Sequence, residues 1–134
     1  MRKMFFYFVT IVVIALITAF TFLASEKNIN VNFLKSYGWE VDPHEIEIEE
    51  IVIPKSFDSV YKEYNLLQKE AGLDLEKYKG KKAVRYTYKV LNYPVKNKNN
   101  VRANVICVDK EPIAGDIMTT ALDGFMHSLL FPEI

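Results

Sequence analysis

The sequence predicts an α+β domain, a twisted antiparallel sheet with helices on one face, hung from an N-terminal transmembrane helix. Three observations carry that expectation. An uncharged apolar run opens the chain, helix-period and strand-period stretches alternate behind it, and the later strands follow one another through short turns. The 134 residues suffice for one modest domain. The boundaries fall at 1–24 for the anchor and 25–134 for the domain.

The run Met4–Ala24, MFFYFVTIVVIALITAFTFLA, has no charged side chain. As a helix it would rise ~31 Å, about the thickness of a bilayer core. Its threonines are tolerated because a helical hydroxyl can bond a carbonyl one turn back. Arg2 and Lys3 make the N-terminal flank basic, whereas Glu26 and Lys27 cancel beyond the span. The positive-inside bias then keeps the N-terminus in the cytoplasm and places the C-terminal domain outside, in a single-pass protein of the cytoplasmic membrane. The alternative is secretion after signal cleavage. The apolar run exceeds the ~7–15 residues of a signal core, and bulky Phe22 or Leu23 would occupy the minus-three position, so an uncleaved anchor is favoured. Cys107 is the single cysteine, so no internal disulfide forms, and its apolar neighbours suit a small core residue better than a nucleophile.

The first outer segment, NINVNFLKSYGW, reads as a short helix with Ile29, Phe33 and Tyr37 on one face. Asn28 or Asn30 can cap it, Gly38 stops it and Trp39 folds back. So little linker precedes it that it can be continuous with the anchor. In EIEIEEIVIP, Ile46 and Ile48 alternate with acids, and a bulge at Glu49–Glu50 would bring Ile51 and Ile53 to the same inward face. DSVYKEYNLLQKEAG is a helix capped by Asp58 and stopped by Gly72, with Val60, Tyr64, Leu67 and Ala71 as its apolar stripe. AVRYTYKVL, VRANVICV and IAGDIM are strands of a three-stranded meander, the last two joined by a tight DKEP turn. TTALDGFMHSLL reads as a short final helix. The fold is therefore that meander plus one further strand, with two or three packed helices.

Net charge is zero, with 17 basic and 17 acidic residues, but the charges are segregated. Lys77 to Arg102 holds nine basic residues and no acid, while Glu40 to Glu50 holds six acids and no Lys or Arg. Cross-strand pairing absorbs much of this if Glu47 or Glu49 opposes Arg85 or Lys89. Lys96, Lys98 and Arg102 are left as a candidate surface for an envelope protein or an anionic polymer. Nucleic acid is not the expected partner, since the domain is expected to be exported and carries no nucleic-acid motif.

Asp116, Asp123 and His127 are the candidate acid, base or metal ligands. On a helix, Asp123 and His127 would project from one side, as metal ligands or as a carboxylate orienting a histidine. A catalytic zinc normally needs three protein ligands, and no Walker loop, nucleophile elbow or HExxH signature is present. The structural alternative pairs Asp116 with Arg102 or Arg85, caps the final helix with Asp123, and lets His127 donate to a carbonyl or to Asp123. On that reading no residue is catalytic, no metal is bound and no cofactor is implied.

The segments FLKSYGWEV, YNLLQKEAGLDLEKYKGKKAVRYTYKVLNYP and GDIMTTALDGFMHSL resemble a family of membrane-anchored extracytoplasmic proteins from Gram-positive, spore-forming bacteria. That family is known as a domain of unknown function. The resemblance covers nearly all of the outer part, implies the anchored, exported arrangement and assigns no catalytic residue. The expectation is a membrane-tethered binding or regulatory module without enzymatic activity. The alternatives are a small envelope hydrolase or metal-dependent enzyme built on Asp116, Asp123 and His127, and a structural subunit that uses its span as an interface.

Overall fold

One helix, α1 (Arg2–Ser36), runs unbroken from the apolar segment into the domain, so that segment and the helix expected after it are continuous. The computed structural model describes residues 2–96 and 100–133, without the side chains of 20–28. The stretch Arg2–Ala19 is long and apolar enough to cross a membrane. Thr10 and Thr18 turn their hydroxyls back onto carbonyls of the preceding turn, as an apolar surrounding requires. The helix ends because Gly38, at φ +97°, takes the left-handed position. Trp39 N–H then reaches Leu34 O at 3.1 Å and Gly38 N–H reaches Lys35 O at 2.9 Å, a Schellman closure.

The sheet contains five antiparallel strands in sequence order: β1 (Glu47–Val52), β2 (Lys82–Lys89), β3 (Val101–Val108), β4 (Glu111–Thr119) and β5 (Met126–His127). Between β1 and β2 lie the second helix, α2 (Ser59–Glu70), and a 3-10 turn at Leu75–Tyr78. The meander is as expected, and Val108 pairs with Glu111 across Asp109 and Lys110, both at positive φ, as a tight hairpin demands.

Four sequence expectations are corrected. The final helix is absent: a turn around Leu122 and Asp123 leads into β5, which raises the strand number. The bulge at Glu49–Glu50 is absent too, since Glu47↔Thr87 through Val52↔Lys82 is one unbroken register. The slip lies upstream, between the Val41–Val90 bridge and Glu47, and leaves Ile46 and Ile48 outward while Ile53 is buried. Of the expected stripe of α2, Tyr64, Leu67 and Ala71 do face inward, but Val60 stands 70 % exposed and the most buried positions are the polar Asn65 and Gln68. Finally, the helices cover both faces of the sheet.

Register parity separates those faces. Tyr88, Ala103, Val105, Cys107 and Ile117 look one way and pack with Leu34 of α1, Trp39 and Leu129. Ala83, Ile106 and Ala114 look the other way and pack with Ile53, Phe57, Leu75, Tyr61 and Tyr64. β3, sandwiched between them, is therefore buried along nearly its whole length rather than alternately. Each large side chain so buried contributes ~1.5–3 kcal/mol.

Candidate functional site: a groove beneath the second helix

α2 starts where the Asp58 carboxylate accepts Tyr61 N–H at 2.8 Å. Its most buried positions are polar, so it is seated by hydrogen bonds. Gln68, fully buried, accepts Gly115 N–H at 2.8 Å. Asn65 accepts Leu75 N–H at 2.7 Å and donates to Asp74 at 3.0 Å. Tyr64 donates its hydroxyl to Asp116 Oδ2 at 2.5 Å. Gly115 must be glycine, because a Cβ there would sit 2.5 Å from the Asn104 carbonyl.

The strand floor continues the polar line. Thr87, Asn104 and Asp116 face one another on β2, β3 and β4. Thr87 donates to Asn104 Oδ1 at 2.7 Å, and Asn104 donates to Asp116 Oδ1 at 3.0 Å. Asp116 is only 2 % exposed, and burial raises its pKa against the opposing bonds from Tyr64 and Asn104 and the charge of Arg85. Tyr64 is pushed well above the usual phenol range, first by burial and then by the Asp116 charge. This carboxylate is thus fully bonded and structurally committed.

Between α2 and this floor lies a groove of about 760 Å³. Ile51, Tyr61, Leu67, Met118 and Met126 give it apolar walls, and Arg85, Arg102, Glu47 and Glu63 line it as well. Arg85 is held by an ion pair to Glu49, its register partner, as the charge segregation anticipated. Arg102 makes no ion pair among the described residues. The groove combines apolar lining, hydrogen-bonding floor and the Arg102 cation, which suits recognition of an amphipathic ligand.

The candidate acids and histidine do not converge. Asp116 sits beneath α2, while His127 pairs with Ile117 on the opposite face. Asp123 is exposed in the turn before β5, and no hydrogen bond joins it to His127 among the described residues. His127 belongs to an aromatic cluster, stacked on Phe125 at 5.5 Å and packed near Trp39. Its Nδ1 lies 2.7 Å from Ser128 O and its Nε2 3.0 Å from the Tyr93 hydroxyl. A carbonyl only accepts, so Nδ1 carries a proton and donates to Ser128 O. The expected donation of His127 to a carbonyl is therefore present, while the expected Asp116–arginine pair is replaced by Tyr64 and Asn104. Among the described residues no three His, Cys, Asp or Glu side chains form a metal-binding group.

Of the three predicted basic residues, Arg102 lines the groove and Lys96 is exposed in the β2–β3 loop; Lys98 lies outside the described residues. Cys107 is buried on the face opposite the groove, donates to Asn30 Oδ1 at 3.1 Å, and has its thiol pushed up to about 11 by burial. The sequence reading missed Tyr61, Tyr64, Gln68, Thr87 and Asn104. Their signal is a helical run of polar and aromatic positions at 61, 64, 65 and 68 facing strand residues that only the register aligns.

Residues 33–117 match the model of a family described as a domain of unknown function, DUF4830. The chain belongs to the DUF4830 family. The matched stretch of this DUF4830 protein contains the whole Tyr64–Asp116–Asn104–Thr87 line and leaves Asp123 and His127 outside it. No curated protein and no solved structure matches the chain.

Proposed function

We propose that this DUF4830 protein is a membrane-tethered, extracytoplasmic binding module that holds an acidic, partly apolar protein segment in the groove beneath α2. The observation that carries the reading is Arg102, whose guanidinium lines an apolar-walled groove and makes no ion pair among the described residues. A guanidinium binds a carboxylate in a two-pronged geometry, and a site partly shielded from water strengthens that contact. The apolar start of α1 supports the tether, and Arg2 and Lys3 support an inside N-terminus. The resemblance to anchored proteins of Gram-positive bacteria agrees with both. Lys96, exposed nearby in sequence, steers acidic ligands at longer range. The separation of Asp116, Asp123 and His127 removes the geometric support for a hydrolase.

The test is binding of an acidic peptide of alternating glutamate and leucine to the full chain in nanodiscs, followed by fluorescence anisotropy. Arg102→Glu should weaken binding about tenfold or more, the loss of a charge-assisted bond. Lys96→Glu should act mainly on the association rate and its salt dependence. Equal affinity for wild type and Arg102→Glu would refute the groove as the site. Tighter binding of an uncoiled glycerol-phosphate polymer than of the peptide would replace the protein ligand by a wall polymer.

A further inference from the structure

The two borders of the sheet are finished differently. On the β4 side, the Gly115 N–H is taken by the buried Gln68 side chain, and β5 closes the end of the strand. On the other side β1 pairs only with β2, and its outer edge carries no strand among the described residues. Ile53 N–H points inward to Lys81 O at 2.9 Å, so antiparallel alternation aims Glu47, Glu49 and Ile51 at β2. The N–H and C=O groups of Ile48, Glu50 and Val52 are then directed away from the sheet. Ile48 is 59 % and Val52 62 % exposed on that same strand. β1 has no bulge, and an unbulged edge is a template for another strand.

We propose that β1 is a docking edge that accepts a basic, extended peptide segment as a sixth strand. Backbone pairing to Ile48, Glu50 and Val52 supplies the register, and contacts with the Ile48 and Val52 side chains favour β-branched residues. Charge selects the partner. Glu47 and Glu50 are exposed and make no ion pair among the described residues, while Glu49 is already held by Arg85. An added strand that sets β-branched residues beside Ile48 and Val52 presents lysine or arginine, at its alternate positions, on the opposite face beside Glu47. A second copy of β1, EIEEIV, would set acids against acids in its central antiparallel registers, which disfavours self-pairing. Glu47 also lines the groove, so the two sites are told apart by Glu50→Pro, a change outside the groove lining.

The experiment is amide hydrogen exchange, read by NMR on the full chain in nanodiscs, with a capped peptide of alternating lysine and valine as probe. In the free protein the amides of Ile48, Glu50 and Val52 exchange fast. Saturating peptide should slow these three by tenfold or more. The same peptide N-methylated at alternate amides should give no protection, and a glutamate–valine peptide none. Glu47→Lys, which reverses the acid on the lysine face, should weaken the lysine–valine peptide at least tenfold. Glu50→Pro keeps the inward ladder, removes one outward donor, and should also weaken it. The proposal is overturned if the three amides stay unprotected or if the acidic peptide protects them equally. It is also overturned if they become protected with protein concentration alone, which would make a second copy the partner.

Discussion

Asp116 is the residue on which the interior of the groove turns. Its folded pKa is raised above the ordinary value near 3.8, chiefly because burial disfavours the charged form. The sign of the linkage follows. The folded state holds this proton more tightly than the unfolded chain, so its contribution to stability is complete below the ordinary carboxylate value and is lost as pH rises through the raised folded value. Asp116→Asn keeps an acceptor for Asn104 and can donate to the Tyr64 oxygen. Urea unfolding of this variant from pH 3 to 8 should show a flatter pH dependence than wild type at similar stability. Asp116→Ala strands the Tyr64 hydroxyl and the Asn104 amide and should cost about 1–3 kcal/mol in the same measurement. Asp116 itself was legible in the sequence as a residue worth testing. Its partners were not, because Tyr64 and Asn104 lie 52 and 12 residues away and meet it only through the sheet register. Asp123 and His127 were singled out for a four-residue spacing that matters only on a helix. The Thr119–Phe125 backbone bond and the β5 pairing take that stretch out of the helix.

At the scale of elements, the stops were the most readable feature and the faces the least. Gly38 and Gly72 both sit at positive φ at the ends announced for them, because the left-handed position penalises any Cβ. Gly38→Ala should cost about 1–2 kcal/mol by thermal melting. The Phe131 ring lies 3.3 Å from the added Cβ, which leaves little room for relief. Apolar spacing as the guide placed Tyr64, Leu67 and Ala71 correctly but turned Val60 inward and passed over Asn65 and Gln68, the polar groups that seat the helix. The helices on both faces explain a second miss, since a sheet covered on one side alone would have left β3 alternating. Cross-strand charge was read correctly: Glu49 opposes Arg85. That pair is half-exposed, with side chains 46 % and 38 % accessible, so a double-mutant cycle should return only ~0.2–1 kcal/mol. The end of α1 matters far more. Leu34 is fully buried in the core with Trp39 and Ile117, and Leu34→Ala should cost about 2–5 kcal/mol.

For the whole molecule, α1 belongs to two environments at once. Its first part is apolar and exposed, and its last turns are core: Asn30 bonds the Tyr88 hydroxyl at 3.0 Å and accepts from Cys107. Removal of residues 1–24 should therefore leave a folded domain, whereas removal of 1–37 should expose Tyr88 and Cys107 and abolish cooperative melting. The central claim is that the domain is tethered to the membrane and displayed outside the cell. Its most direct test uses the chemistry of the only cysteine. Cys107 is buried with its thiol pushed up to about 11, so the folded wild-type chain should resist alkylation at neutral pH. A Lys96→Cys variant then offers one exposed thiol in the β2–β3 loop. The measurement is labelling of that variant in intact cells by a membrane-impermeant maleimide, with wild type as the control. The account predicts labelling of the variant without lysis and none of wild type. Labelling of the variant only after the cells are opened would contradict it.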